Sequence, residues 1–238
     1  DLRADRQPEF TQIDIEMSFV DENEVFFHME GMTRHIFKSV RNIDLPDPFL
    51  RLTYAEAMET YGSDKPDLRY EMRLKDVKEF TDVSEFNAFK SAAVVKGLVV
   101  EGGAKYSRKI IDELTNHVKK YKAKGLAWMK AEDGVFIGGI SKFFSDELQQ
   151  SMFEKLSVNH GDILFMIGDN ASIALNALGQ LRVDIARREK LFSNDQFIPV
   201  WITEFPMFDY DDETERFIAM HHPFTAPRDE DVEKLDSD

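Results

Sequence analysis

Apolar and polar residues alternate near the start of the chain, and the spacing then becomes helical. The alternation over residues 10–17 predicts a half-buried strand with Gln12 and Asp14 on one face. From Asp21, a residue type that caps helices, apolar residues recur every three or four positions and predict a helix over residues 21–41. We expect one buried stripe on this helix, formed by Val25, Met29, Met32, Ile36 and Val40.

A second, short helix is predicted between two segments rich in turn residues. Pro46 and Pro48 interrupt the helical spacing. Thr53 and Glu56 then have the spacing of a capping box, and Gly62 suits the end of the helix. The following sequence, GSDKPD at residues 62–67, is dense in turn formers and predicts a domain boundary.

Strand and helix patterns interleave through the middle of the chain. Strands are predicted at residues 86–89, 94–100, 126–130, 135–137 and 163–167, with a hairpin turn at Asp133 and Gly134. Helices are predicted to begin at Ser107, at Ser145 and at Asn170 or Ser172, and to end near residues 122, 156 and 191. This order predicts an α+β sandwich, with helices on one side of a sheet.

The last part of the chain returns to strands. Residues 199–205 and 216–220 are predicted to pair antiparallel, joined by the acidic turn at residues 209–213. The two ends of the chain thus share an antiparallel strand character that the middle lacks. This indicates one domain inserted into another. We predict three segments, in which residues 1–62 and 196–238 belong to one domain and residues 63–195 form the insertion.

Composition narrows the class of protein. A length of 238 residues and a hydrophobic fraction of 42% suit one large or two ordinary globular domains. No apolar run or leader indicates a membrane span or a signal peptide, and the lack of cysteine excludes thiolate chemistry and favours the cytosol. The net charge of −15 argues against binding nucleic acid through the overall field, but a few arginines can still make a local contact.

Common chemical motifs do not fit this sequence. The glycines form neither GxGxxG nor a Walker loop, no serine lies in GxSxG, and no HExxH is present. The remaining candidates for chemistry are His221 and His222. They lie at the end of a predicted strand, where neighbouring side chains point to opposite faces. One imidazole there can bind a carboxylate, and the alternative is a surface pair before a proline.

Four motifs together resemble one family. DLRADRQPEFTQID, YGSDKPDLR, FPMFDYDDE and MHHPFTAP occur in the order found in aspartyl-tRNA synthetases of the bacterial type, and the resemblance spans essentially the whole chain. It implies the class II synthetase fold, an antiparallel sheet flanked by helices, with an inserted α+β domain, the GAD domain. Because the chain starts inside a motif and does not start with Met, we expect it to be part of a longer protein.

The resemblance also implies roles for individual residues. Gln7 would contact ATP, and Phe10 would stack on adenine. Gln12 and Asp14 would surround the substrate aspartate, with Asp14 near its ammonium group. The tRNA acceptor end would be contacted by Arg3, Asp5 and Arg6. The substrate aspartate would also be contacted by His221, with His222 beside it.

The implied reaction is aspartate activation by ATP, with Mg²⁺, to aspartyl-adenylate, followed by transfer to the tRNA 3′ end. The implied partners are L-aspartate and tRNA(Asp), with tRNA(Asn) left open, and the implied whole enzyme is a cytoplasmic homodimer. The chain alone is expected to be inactive. Two alternatives stay open: a non-catalytic insertion module acting near tRNA, and an unrelated α+β binding protein.

Overall fold

The computed structural model describes residues 9–211, 214–220 and 227–234. The chain is α+β and divides into two compact units, Asp1–Phe49 and Leu50–Asp238. Its helices are α1 (Glu22–Arg41), α2 (Tyr54–Tyr61), α3 (Lys78–Val83), α4 (Arg108–Lys119), α5 (Asp146–Leu156) and α6 (Ala171–Glu189). Its strands are β1 (Leu50–Thr53), β2 (Leu74–Asp76), β3 (Val94–Val100), β4 (Ala127–Glu132), β5 (Val135–Ile137), β6 (Ile163–Asp169), β7 (Val200–Thr203), β8 (Phe208–Asp211) and β9 (Arg216–Ala219).

Helix α1 dominates the first unit, and its predicted ends are confirmed. The Asp21 side chain accepts a hydrogen bond from the Glu24 N–H, and the Glu24 carboxylate accepts one from the Asp21 N–H, which completes a capping box. The predicted buried stripe is wrong, since Val25, Met29 and Met32 are only half-buried and Val40 is 74% exposed. The buried residue of this helix is Glu30. Periodicity fixes which side chains share a face, but burial also requires an element that covers the face.

The opening strand predicted at residues 10–17 is wrong. This segment has no regular secondary structure, and its side chains are exposed, with Ile13 at 65%. Alternating residues favour a strand only where a neighbour completes the backbone hydrogen bonds. No such neighbour pairs with residues 10–17 within the described part of the first unit.

A five-stranded antiparallel sheet forms the centre of the second unit. Its strand order is β2-β3-β6-β4-β5, with β3 and β6 paired over seven residues each. The predicted hairpin is confirmed, because Asp133 and Gly134 both have positive φ, as a type I′ turn requires. The predicted strand at residues 86–89 is wrong, since Asn87–Phe89 is a 3₁₀ turn that places the ring centroids of Phe86 and Phe89 4.9 Å apart.

Helices cover both faces of this sheet, so the prediction of helices on one side is wrong. On β6, Ile163 and Phe165 belong to a core shared with α4 and α6, whereas Leu164 and Met166 face the opposite core. That second core includes Phe80 of α3 and residues of α5. The unbroken apolar run ILFMI in β6 indicates burial on both faces of the sheet, because strands buried on both faces do not alternate apolar and polar residues.

Two smaller strand pairs complete the second unit. Strand β1 pairs with β7 in parallel, from Leu50 opposite Val200 to Thr53 opposite Thr203. Strand β8 pairs antiparallel with β9. The predicted partnership of residues 199–205 with 216–220 is therefore wrong, since β7 pairs with β1 and the acidic stretch after Phe208 is itself strand β8. The part of the chain that the structure describes contains no helix with the length and apolar character needed to cross a membrane.

Candidate functional site

The predicted ligand-binding residues at the start of the chain fall into two groups. Phe10, Gln12 and Asp14 lie in the irregular exposed segment before α1, and the Phe10 ring is 72% exposed. Their side chains are accessible to a ligand, but this segment alone does not form an enclosed pocket. The others, Arg3, Asp5, Arg6 and Gln7, lie outside the described residues.

The predicted histidines follow strand β9. His221 and His222 also lie outside the described residues, so their side chains are not described. The chain leading to them is fixed by the β8–β9 pair and by a hydrogen bond of 3.1 Å from the Met220 N–H to the Met207 carbonyl. The residue before the histidines is therefore held in place by a backbone contact.

Tyr54, in the first turn of α2, lies in the field of two carboxylates. Tyr54 packs on Phe205 with ring centroids 5.2 Å apart. Burial, and then the nearby carboxylates of Asp209 and Asp64, raise the pKa of the Tyr54 hydroxyl. The hydroxyl therefore stays protonated and can donate a hydrogen bond beside two carboxylates. Phe205 and Asp209 belong to the motif FPMFDYDDE, which was the available signal.

Helix α2 is capped at both ends, as predicted. The Thr53 hydroxyl accepts from the Glu56 N–H, and the Glu56 carboxylate accepts from the Thr53 N–H at 2.8 Å. Gly62 ends the helix in the left-handed conformation, with φ 67°. Because Thr53 is also the last residue of β1, this capping box fixes how the parallel β1–β7 pair continues into α2.

Two glycines bring α2 and α6 into backbone contact. A Cβ on Gly62 would lie 2.1 Å from the Leu175 carbonyl oxygen, and a Cβ on Gly179 would lie 2.4 Å from the Gly62 carbonyl oxygen. Neither position can hold a side chain without displacing backbone. The glycines therefore join the strand pair and α2 closely to the helix that covers the five-stranded sheet.

A buried arginine strengthens the same junction. Arg182 of α6 is 1% exposed and donates to the backbone carbonyls of Asp67, Tyr70 and Met72. Its guanidinium also lies over two rings, 4.1 Å from the centroid of Tyr70 and 4.9 Å from that of Tyr61. Burial lowers the pKa of Arg182 below its ordinary value. One side chain thus holds the connection between α2 and β2.

A second buried cation lies on the sheet beside α2. The Lys96 ammonium contacts Glu59 of α2 at 2.5 Å and Asp76 of β2 at 3.1 Å. Burial lowers the pKa of Lys96, but the hydrogen bonds to both carboxylates outweigh this effect and raise it. Lys96 therefore remains charged and links α2 to the sheet.

The described residues contain no group of three or more histidine or acidic side chains arranged to hold an ion. The donors that Mg²⁺ prefers are several oxygen atoms around one point. The described residues therefore do not fit a resident magnesium site.

The chain belongs to the class II tRNA synthetases of the aspartate, lysine and asparagine group. The family described as "tRNA synthetases class II (D, K and N)" matches residues 1–238. This agrees with the α+β architecture and confirms the family that the four sequence motifs indicated.

Individual relatives are more specific. The chain is 47% identical over 243 residues to the aspartate–tRNA(Asp/Asn) ligase of Desulfatibacillum aliphaticivorans, covering 100% of this chain and 41% of that protein. It is 46% identical over 242 residues to the aspartate–tRNA ligase of Staphylococcus carnosus, with the same two coverages. The chain therefore spans about two fifths of the length of these relatives.

Proposed function

We propose that the chain is part of an aspartate–tRNA ligase, which activates L-aspartate with ATP and transfers it from aspartyl-adenylate to the tRNA 3′ end. The observation that carries this proposal is identity of 46–47% along the chain to proteins named for that reaction. Family membership over residues 1–238 supports the class of reaction, since the family comprises class II tRNA synthetases for D, K and N. The chain by itself is expected not to ligate, since it spans 41% of these relatives.

We further propose how the substrates are held. The Phe10 ring stacks on adenine and Gln7 contacts ATP, because an exposed aromatic face is suited to a flat base. The Asp14 carboxylate pairs with the substrate ammonium, and Gln12 lies beside it. The substrate aspartate is also contacted by His221, with His222 beside it. These groups catalyse by positioning and charge rather than by covalent chemistry.

Recognition of tRNA and the role of metal complete the proposal. Arg3, Asp5 and Arg6 contact the acceptor end, where arginines hold phosphates and polar groups read base edges. Magnesium accompanies ATP and neutralises its phosphates. The described residues contain no group of histidine and acidic side chains that could hold this metal by themselves.

The proposed partners are tRNA(Asp) and a second copy of the enzyme in the cytoplasm. The choice between tRNA(Asp) alone and both tRNA(Asp) and tRNA(Asn) stays open, because the relatives carry both names. The proposed domain division remains residues 1–62 and 196–238 for the catalytic domain and 63–195 for the inserted GAD domain.

A second candidate function is an interaction module that acts without catalysis. It is favoured by the five-stranded sheet, which has an apolar core on each face and so has the packing of an independent domain. In this candidate the residues around Asp14 have no ligand.

Calorimetry with a non-hydrolysable aspartyl-adenylate analogue separates the two candidates. The ligase proposal predicts measurable binding that weakens at least about tenfold in Asp14→Asn, since a hydrogen bond to a charged group contributes roughly 1.5–3 kcal/mol. Glu16→Gln is the matched control, an exposed acid two residues away, and is expected to bind as wild type does. Two results would support the interaction module. Either the folded wild-type chain binds no analogue, or the Asp14→Asn variant binds the analogue as tightly as the wild-type chain does.

A further inference from the structure

Positive charge is concentrated in one segment of this acidic protein. Between Lys105 and Lys130 the chain carries eight basic and two acidic side chains, although its net charge is −15. The segment includes α4 and the turn that leads to β4. The sign of the local charge is therefore opposite to that of the protein as a whole.

Helix α4 exposes this charge on a single face. Its opposite face is buried, with Ile111, Leu114 and Val118 in the core. Lys109, Lys119 and Lys120 are exposed, and their ammonium groups have no ion-pair partner in the described parts of the chain. Burial of one face thus forces the lysines of the other into solvent.

The acidic residues on the exposed face are already neutralised. Asp112 pairs with Arg108 at 3.0 Å, and Glu113 pairs with Arg188 of α6 at 3.3 Å. Because both carboxylates are paired with arginines, they do not cancel the charge of the lysines.

The C-terminal end of α6 extends the positive face. Lys105 lies 2.6 Å from Glu189, and Arg188 reaches Glu113, so these contacts fix the end of α6 beside the start of α4. Arg187 is also exposed at this end. We call the surface formed by Lys109, Lys119, Lys120 and Arg187 the basic face.

The spacing of the lysines decides which anion the basic face fits. Helical rise of 1.5 Å per residue places Lys109 and Lys120 about 16 Å apart along the axis of α4. A single small anion cannot contact both ends. A polymer with regularly spaced charges can, and an RNA backbone supplies them.

We propose that the basic face binds the phosphate backbone of RNA and helps to orient a bound tRNA. The proposal rests on the proposed function only for the identity of the RNA, since the charge pattern itself suits any extended polyanion. Lysines are mobile point charges without a fixed fork of donors, so they hold phosphates and do not read bases. The contact is therefore expected to position RNA without selecting its sequence.

Fluorescence anisotropy of labelled bulk tRNA tests this proposal on the whole chain. The test variant combines Lys109→Gln, Lys119→Gln and Lys120→Gln. The matched control combines Lys90→Gln, Lys142→Gln and Lys155→Gln, which change the net charge equally on the side of α3 and α5. Glutamine keeps good helix propensity, and circular dichroism checks that both variants are folded.

The proposal predicts that the dissociation constant of the test variant rises roughly tenfold or more at low salt, while the control changes little. The slope of log affinity against log salt should also fall by about one for each lysine that contacts a phosphate. Equal weakening in both variants, or no binding of tRNA by the wild-type chain at low salt, would overturn it. Binding of the adenylate analogue should be unchanged in both variants, which keeps this test separate from that of the ligase proposal.

Discussion

At the scale of the residue, Arg182 shows how one side chain supports a connection. A guanidinium has five donors in a planar fork, and in this protein they serve the carbonyls of three residues in the segment between α2 and β2. Nothing in the sequence singled it out, because its partners are more than a hundred residues away. Spacing along a helix predicts that a residue faces inward but not which distant backbone it meets.

Replacing this arginine should destabilise the second unit strongly. Arg182→Met removes the donors and leaves buried carbonyls unsatisfied, so we expect the free energy of unfolding to fall by about 3 kcal/mol or more. Urea unfolding followed by tryptophan fluorescence measures this, because both tryptophans, Trp128 and Trp201, lie in that unit. Arg188→Met, which breaks only exposed ion pairs, should change it by less than about 1 kcal/mol. Equal losses in the two variants would contradict this account.

At the scale of the element, the ends of helices could be predicted from the sequence, but the pairing of strands could not. The cap at Asp21 and the capping box at Thr53 are confirmed, because each is complete within four residues. The strand predicted at residues 10–17 failed because a strand needs a partner that local sequence does not specify. Phe86 and Phe89 fit a 3₁₀ turn better than a strand, since residues three apart lie on the same side of such a turn.

Alanine at two helical glycines should have opposite effects. Glycine normally weakens a helix by roughly 0.5–1 kcal/mol relative to alanine, and Gly31 of α1 has open space around it. Gly31→Ala should therefore raise stability by about that amount. Gly179→Ala should instead lower it by about 1–3 kcal/mol, because the new Cβ meets the Gly62 carbonyl oxygen. Thermal unfolding followed by circular dichroism compares them, and a stabilising Gly179→Ala would refute the proposed backbone contact.

At the scale of the whole molecule, the family was predictable and the arrangement of the sheet was not. Four motifs in order indicated a class II synthetase, and the match over residues 1–238 confirms this. The core on each face of the sheet was missed, although the apolar run around Phe165 contained the signal. The roles of Phe10, Gln12 and Asp14 remain proposals, since a binding pocket depends on side chains from distant segments.

The central claim is that this chain supplies part of an aspartate-activating site. Its most direct test replaces the matching stretch of the Staphylococcus carnosus ligase with this chain and measures aspartate-dependent exchange of pyrophosphate into ATP. The account predicts exchange with aspartate but not with asparagine, and at least a roughly hundredfold loss of kcat/KM in Asp14→Asn, about 2.7 kcal/mol of transition-state stabilisation. A folded chimera that shows no aspartate-dependent exchange, or that keeps full activity with Asp14→Asn, would contradict it.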